Sequence, residues 1–518
     1  MSARHRQRRK SLFQGVDVDT PLLLECDVAV VGSGAGGGAA AYELAAAGLD
    51  VLVLEEGAYR HTGHFSADVG ESIRGLYRNS GTNIIFGTPE IMFTEGRTVG
   101  GSTVINGGIC WRTPPKILKR WVWEHQLPAR DFSPDALEPI FERVEDMIHA
   151  APQNPESVGR DSILLKEGCD ALGYRTSPVY RSQKDCMGSN NCIFGCPTGA
   201  KQSTLVTYLP GATRRGARIQ SDARVTRLNF DQHGRVTGLR GRIYNPEVGR
   251  QFPLSVRARS VVLSCGATQT PVLLKASRAG NRWVGRNLMV HPNAKVCGLY
   301  DQTVQGWQGT IQGYQVEEFR EEGLLMAPTF IPPGLLAAGL PHIGDDLGAL
   351  MSQLNHIVTA GVLVEDSTTG RVRRGPGGQA LMTYRCTHRD MLMFQRGLAF
   401  LSEILFASGA RRVLLPVIGM DELTTPDDIS KIFSRPLPPE RLELFTVHVM
   451  GTARLAANAE RGVCDPGGRV FGHSGLYIAD ASLLPGAIGV NPQITVMALA
   501  THVAWNVVGD LLQHGIGR

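Results

Sequence analysis

One local arrangement near the start of the chain limits its fold more than any other feature. Residues 26–31 read CDVAVV, a short apolar run rich in β-branched side chains. Gly32-Ser33-Gly34-Ala35-Gly36-Gly37 comes next, followed by the helical stretch AAAYELAAAG and a second apolar run in VLVLEEG. Strand, glycine turn, helix and strand in this order open a nucleotide-binding βαβ unit. Gly32 permits the tight turn, Gly34 lets backbone approach a pyrophosphate, and Gly37 lets helix and strand pack closely. The helix start then offers unpaired N–H groups and the positive end of its dipole to phosphate. Glu55 follows the second strand, where its carboxylate can accept both hydroxyls of a ribose and would repel a 2′-phosphate. A dinucleotide cofactor follows from this context. The motif alone does not decide between a flavin and a nicotinamide.

The unit uses a small part of the 518 residues, a length that calls for more than one ordinary core. Similar β patterns return at 260–264 (SVVLS) and 475–480 (GLYIAD). We therefore expect one cofactor-binding domain assembled from residues 21–125, 201–300 and 441–518. Residues 126–200 and 301–440 would form a second, substrate-binding domain. The net charge of +5 is small for this length, and much of it lies in MSARHRQRRK. Residues 1–20 are accordingly expected to be a disordered basic tail. Without it the body is near neutral, which argues against a nucleic-acid partner. No apolar run reaches the roughly 18 residues that span a bilayer, and no apolar stretch follows the basic start as a secretory signal requires. The expectation is a cytoplasmic protein without a membrane span. Residues 366–380 read as an exposed hairpin or loop, and the segment from Pro492 to about Leu512 as a helix.

Further segments carry a resemblance. GRTVGGSTVING at 96–107, CGATQTPVLLKAS at 265–277, VGRNLMVHP at 284–292, HVMGTAR at 448–454 and DASLLPGAIGVNPQITVMALA at 480–500 resemble, in that order, the signatures of the glucose–methanol–choline family of FAD-dependent oxidoreductases. The resemblance implies a mixed α/β and α+β fold. A Rossmann-like FAD-binding domain built from discontinuous segments would adjoin a substrate domain on an antiparallel sheet. It implies FAD contacts at Gly100, Gly101, Ser102 and Asn106. It also implies them at Val225, whose backbone would meet the adenine, at Asp480 and Ala481 after the last strand, and at Pro492 and Gln493. Members that attach FAD covalently through a histidine carry it just before the asparagine. Ile105 stands there, so non-covalent FAD is expected.

The resemblance places His448 at the family's active-site histidine and Asn491 at its partner. The chemistry agrees. Oxidising an alcohol means removing a hydroxyl proton and transferring a carbon-bound hydrogen as hydride to flavin N5. A base with a pKa near neutrality suits the first event, and imidazole is such a base. An amide cannot act as a base near pH 7 but can anchor the substrate oxygen. His291 reads as structural. No H-E-x-x-H and no G-x-S-x-G occurs, so zinc-protease and serine-hydrolase chemistry have no footing. The apolar segment around LLMAPTFIPPGLLAAG suits a long-chain, aromatic or steroid-like alcohol. Oxygen or another acceptor would reoxidise the flavin.

Cys186, Cys192 and Cys196, in CMGSNNCIFGCP, leave an alternative. Three thiols followed by proline can hold an iron–sulfur cluster, as in some bacterial glucose dehydrogenases, and the enzyme would then be a sugar or polyol dehydrogenase with an electron relay. The same segment also resembles a cluster-free loop of long-chain alcohol oxidases. That reading is preferred because a fourth ligand is lacking. A hydroxynitrile-lyase-type member, which keeps FAD without net redox turnover, is the third reading.

Overall fold

The structure is a computed structural model in which residues 10–513 are described. The elements that bear on the site are, in chain order, β1 (Leu22–Val31), α1 (Ala35–Ala46), β2 (Val51–Leu54), β3 (Arg250–Leu263), β4 (Asn293–Leu299), β5 (Ile357–Val364), β6 (Leu444–Thr446), β7 (Leu476–Ile478) and α2 (Gln493–Gln513).

Among the described residues β1, β2 and β3 form the parallel centre of an eight-stranded sheet, with β1 in the middle and β7 parallel to the last residues of β3. The far ends of β1 and β2 are buried throughout, as expected of strands covered on both faces. Gly32 turns the chain out of β1 with φ +102, a conformation that side chains rarely adopt. Gly36 and Gly37 then stand inside α1 although glycine disfavours helices. A Cβ on Gly36 would lie 1.8 Å from the Ala479 carbonyl oxygen, and one on Gly37 would lie 2.0 Å from that of Gly32. The helix therefore seats tightly against the turn and against the strand end after β7. α2 packs on α1, and Trp505 donates to Glu43 across the contact at 3.1 Å. α2 is long and apolar enough to cross a membrane by length and composition, yet about two thirds of its most apolar window is buried inside the protein.

The second sheet has thirteen strands among the described residues. β4 pairs antiparallel with β5 over seven residues, and Asn293 at its start faces Phe445 of β6. Most of its pairings are antiparallel, as expected, but Asn83–Thr88 runs parallel to Ala380–Arg385, and β6 runs parallel to Ile91–Phe93. The helix His388–Ala407, capped by reciprocal Thr387 and Asp390 bonds, covers one face with Phe394, Leu398, Leu401 and Leu405. Residues 370–374 and 380–385 form the hairpin read from the sequence.

The boundaries expected from the sequence move in three places. Residues 1–9 of the supposed tail lie outside the described residues. Residues 10–20 are not a tail, since Leu12–Phe13 pairs in parallel with Arg218–Gln220 and Gly15 N donates to Asp222. The strands at 83–93, 286–299 and 444–446, assigned to the cofactor domain, belong to the second sheet. Pro134–Ile148, assigned to the substrate domain, packs instead against the first core. Its apolar stripe of Leu137, Ile140, Phe141, Val144 and Ile148 joins the cluster around β1 and α2, and Arg143 pairs with the buried Glu43 at 2.8 Å.

Candidate active site

A cavity of about 1180 Å³ runs between the two sheets. One end is the glycine turn, with Gly32, Gly34, Glu55 and Val225 in its wall. The middle is lined by Gly101, Ser102, Asn106, Asp480 and Ala481, and the path continues to Asn491, Pro492, Gln493 and His448. The sequence-derived residues thus converge on one space, with two exceptions. Gly37 lies behind the wall, packed on Gly32. Gly100 is also behind it, at φ +96, where a Cβ would meet Val104 and Leu205.

The turn end fits a dinucleotide. A Cβ on Gly34 would meet only the Cα of Gly101, at 3.8 Å, and otherwise points into open cavity. The missing side chain therefore leaves room for a ligand rather than for protein. The Glu55 carboxylate is buried and accepts from Ser33 N at 3.0 Å, Ser33 Oγ at 2.6 Å and Gly57 N at 2.9 Å. Burial pushes its pKa up, against those three bonds. Of roughly four acceptor positions on a carboxylate, about one remains. Glu55 can thus take one ribose hydroxyl directly, and the second needs Ser33 Oγ to turn aside. Sequence reading missed the adjoining cluster, in which Arg78 bridges Glu56 at 2.9 Å and Glu95 at 2.6 Å, with Arg224 near Glu56 at 3.6 Å.

Asp480 does not present a free carboxylate to the cavity. It accepts from Ser482 N and Oγ, from Gly266 N at 3.0 Å and from Thr270 Oγ1, which uses all its acceptor positions. Its side chain ties the end of β7 to the helix Gly266–Ser277, so any cofactor contact must come from backbone. Asn106 and Gln493 meet: the Asn106 amide donates to Gln493 Oε1, and Asn106 Oδ1 accepts from Gly108 N at 3.1 Å.

The cysteine segment serves the same wall from behind. Among the described residues no group of three or more His, Cys, Asp or Glu side chains is placed to hold a metal. Cys192 Sγ accepts from Arg181 Nη2 at 3.0 Å, and the guanidinium and Lys201 hold its pKa below the usual thiol range despite burial. Cys196 Sγ accepts from Lys201 N at 3.4 Å. The Lys201 ammonium donates to three carbonyls, those of Val104, Asn106 and Cys192. That matches its three N–H groups and clamps residues 104–106 to the loop. Burial lowers its pKa to about 8. Of the three thiols considered from the sequence as iron–sulfur ligands, those of Cys192 and Cys196 are engaged with protein donors. The lysine is the organising residue, and GAK after the last cysteine was its signal.

His448 follows β6, and Asn491 precedes α2. Asn491 Nδ2 lies 3.1 Å from His448 Nε2. Asn491 Oδ1 is buried without a partner. Burial first, and then the positive charge of Lys295, lower the His448 pKa to about 4, not near neutrality as the sequence argument required. The imidazole is therefore neutral and proton-accepting at pH 7. His291 stands edge-on to it, with ring centroids 5.6 Å apart at 89°. The main chain at His291 has φ +41, and Asp366 holds it there by accepting from Val290 N at 2.9 Å and His291 N at 2.8 Å. His291 Nε2 accepts from Gly489 N at 3.1 Å. It thereby anchors the loop that delivers Asn491, which is the structural part read from the sequence.

Fold and site define a class: a two-sheet enzyme whose dinucleotide cradle opens directly onto a histidine–asparagine pair. Comparison with known proteins gives the family. Models of the GMC oxidoreductase family match residues 73–293 and 367–500, and an FAD-binding-domain model matches residues 27–68. An uncharacterized GMC-type oxidoreductase of Mycobacterium tuberculosis is 36% identical, covering 96% of this chain and 78% of that protein. The long-chain-alcohol oxidase FAO3 of Arabidopsis thaliana is 28% identical, covering 94% and 68%. A solved structure of a single-residue variant of Aspergillus oryzae formate oxidase superposes with a TM-score of 0.71 at 17% identity, covering 96% of this chain and all of that one. The chain belongs to the GMC oxidoreductase family and is an FAD-dependent oxidoreductase.

Proposed function

We propose that this enzyme oxidises a primary or secondary alcohol with an apolar body to the aldehyde or ketone, with dioxygen as the final electron acceptor. One observation carries the reading: the 3.1 Å contact between Asn491 Nδ2 and His448 Nε2 at the end of the cofactor cavity. An amide N–H and an imidazole lone pair are complementary to the two halves of a hydroxyl group, its acceptor and its donor. Without an alcohol they satisfy each other. With one, Asn491 donates to the substrate oxygen, and Nε2 receives the hydroxyl proton as the carbonyl forms. FAD, when bound, supplies the acceptor for the hydride that leaves carbon. His291 and Asp366 keep the loop and the imidazole in register, and the apolar wall excludes water from the charged transition state. With Ile105 at the position of a covalent histidine, the FAD is held by non-covalent contacts.

Leu325, Phe330, Ile331, Leu336 and Leu363 in the cavity wall and the substrate in the name of the Arabidopsis relative support the apolar body. The test is anaerobic mixing of the flavoenzyme with a panel of alcohols, followed by mixing the reduced enzyme with oxygen. Bleaching by long-chain or aromatic alcohols and rapid recovery in oxygen are expected. No bleaching by any alcohol, with cleavage of a hydroxynitrile, would replace this reading with a lyase.

A further inference from the structure

Beyond His448 the cavity wall carries a lysine that pairs with no carboxylate among the described residues. Asn293, Lys295 and Cys297 are alternate residues of β4, and all three face the cavity. Lys295 Nζ lies over the Phe445 ring, 4.4 Å from its centroid. Among the described residues it meets no carboxylate, and the Cys297 thiol is its one ionisable neighbour of opposite sign. Beside it, Asn293 Oδ1 is buried without a hydrogen-bond partner. Gly361 faces Lys295 across the β4–β5 ladder. A Cβ there would stand 2.3 Å from Nζ and 2.9 Å from Asn293 Oδ1, so the glycine leaves the space that both polar groups occupy.

An ammonium in an apolar wall is costly unless an anion meets it. Burial lowers the Lys295 pKa to about 7, and its charge in turn lowers that of His448. The two groups are thus within electrostatic reach inside one cavity. A simple alkanol would leave this amine unpaired.

We propose that Lys295 is a specificity-determining site for a carboxylate carried by the substrate, so that the preferred substrates are hydroxy acids with an apolar chain. The ammonium takes the carboxylate while the hydroxyl reaches His448 and Asn491. Phe445 holds the amine in place through its ring face. The inference rests on the alcohol-oxidising reading of the same cavity and narrows it.

The experiment compares 1-alkanols with ω-hydroxy carboxylates of equal carbon number on the flavoenzyme, reading the substrate dissociation constant from anaerobic flavin reduction. At the fitting chain length the hydroxy acid is expected to bind about 10- to 100-fold more tightly than the alkanol, the range of a charge-assisted hydrogen bond. Lys295→Met should weaken binding of the hydroxy acid about 10-fold or more beyond any change in the alkanol constant, whereas Lys295→Arg should keep most of the preference. FAD content and thermal midpoint report whether each variant is folded. A parallel titration with alkanoates, followed through the flavin spectrum, needs no turnover. Lys295-dependent alkanoate binding without bleaching by any alcohol would retain the anion site and remove the alcohol-oxidising reading. Equal binding of alkanols and acids, or equal losses for both in Lys295→Met, would overturn the proposal. The latter result would assign the lysine to the reacting oxygen.

Discussion

His448 should accept protons well below the ordinary imidazole range, and the pH dependence of flavin reduction can measure it. Its enclosure and the charge of Lys295 set its pKa at about 4. The ratio of the reduction rate constant to the dissociation constant for a neutral alcohol reports titration of the substrate-free enzyme. At pH 5.5 an imidazole with that pKa is about 97% neutral, while one at the ordinary value is about 9% neutral. Between pH 6.5 and 5.5 the ratio is therefore expected to change by about 3%, against about fivefold for an unshifted group. Lys295, with a pKa of about 7, changes its charge by about a fifth across this window, far short of a fivefold effect, and His291 is held far below its usual range by burial and by His448. Neither should mask the effect. His448→Ala should slow reduction about 10²- to 10⁴-fold with FAD retained. The sign for stability follows as well. The unfolded chain takes up a proton below about pH 6.5 that the folded site refuses until about pH 4. This residue therefore costs native stability progressively as pH falls through that interval. A fivefold loss of the kinetic ratio over the tested unit, or unchanged kinetics in the alanine variant, would refute the reasoning.

Gly34→Ala and Gly37→Ala should part company. The first places a methyl group in open cavity and should weaken FAD binding with little change in the urea midpoint, whereas the second meets the Gly32 carbonyl at 2.0 Å and should cost about 2–4 kcal/mol of stability. Acid precipitation should release the flavin into the supernatant, since Ile105 offers no attachment atom, and yellow colour in the pellet would contradict this. Asn491→Leu should slow flavin reduction about tenfold or more while leaving the FAD spectrum intact, as checked by anaerobic stopped flow. Arg143→Ala should cost about 1–3 kcal/mol in denaturant melts, because Glu43 is only 5% exposed and would keep Trp505 as its remaining side-chain partner.

How far the sequence reaches depends on how local each signal is. β1, α1 and β2 are adjacent in the chain, and periodicity with three glycines was enough to read them. The strands at 83–93 were assigned to the wrong sheet because their partners, at 380–385 and 444–446, lie hundreds of residues away. Nothing local marks such a partner. Pro134–Ile148 showed its apolar stripe, but a stripe does not say which core it covers. Family motifs located His448 and Asn491, whereas the neighbours that set the imidazole's proton affinity were not legible. Lys295 was missed for a physical reason. In NAKVCGL, lysine alternates with buried residues as on any solvent-facing strand, and the face it occupies turned out to be the cavity. Glu55 was read as a free acceptor and Asp480 as a cofactor contact because the turns that saturate both carboxylates with N–H and hydroxyl donors form only in three dimensions.

The backbone passes repeatedly from one sheet to the other, and the two active-site side chains come from its two sides, His448 from the loop after β6 in the second sheet and Asn491 from the lead into α2, which packs on α1. Neither half can be cut out and made alone, and neither can be exchanged wholesale for that of a cousin. New specificities in such a molecule are expected from single replacements along the cavity wall. The cradle that grips the nucleotide is carried along unchanged.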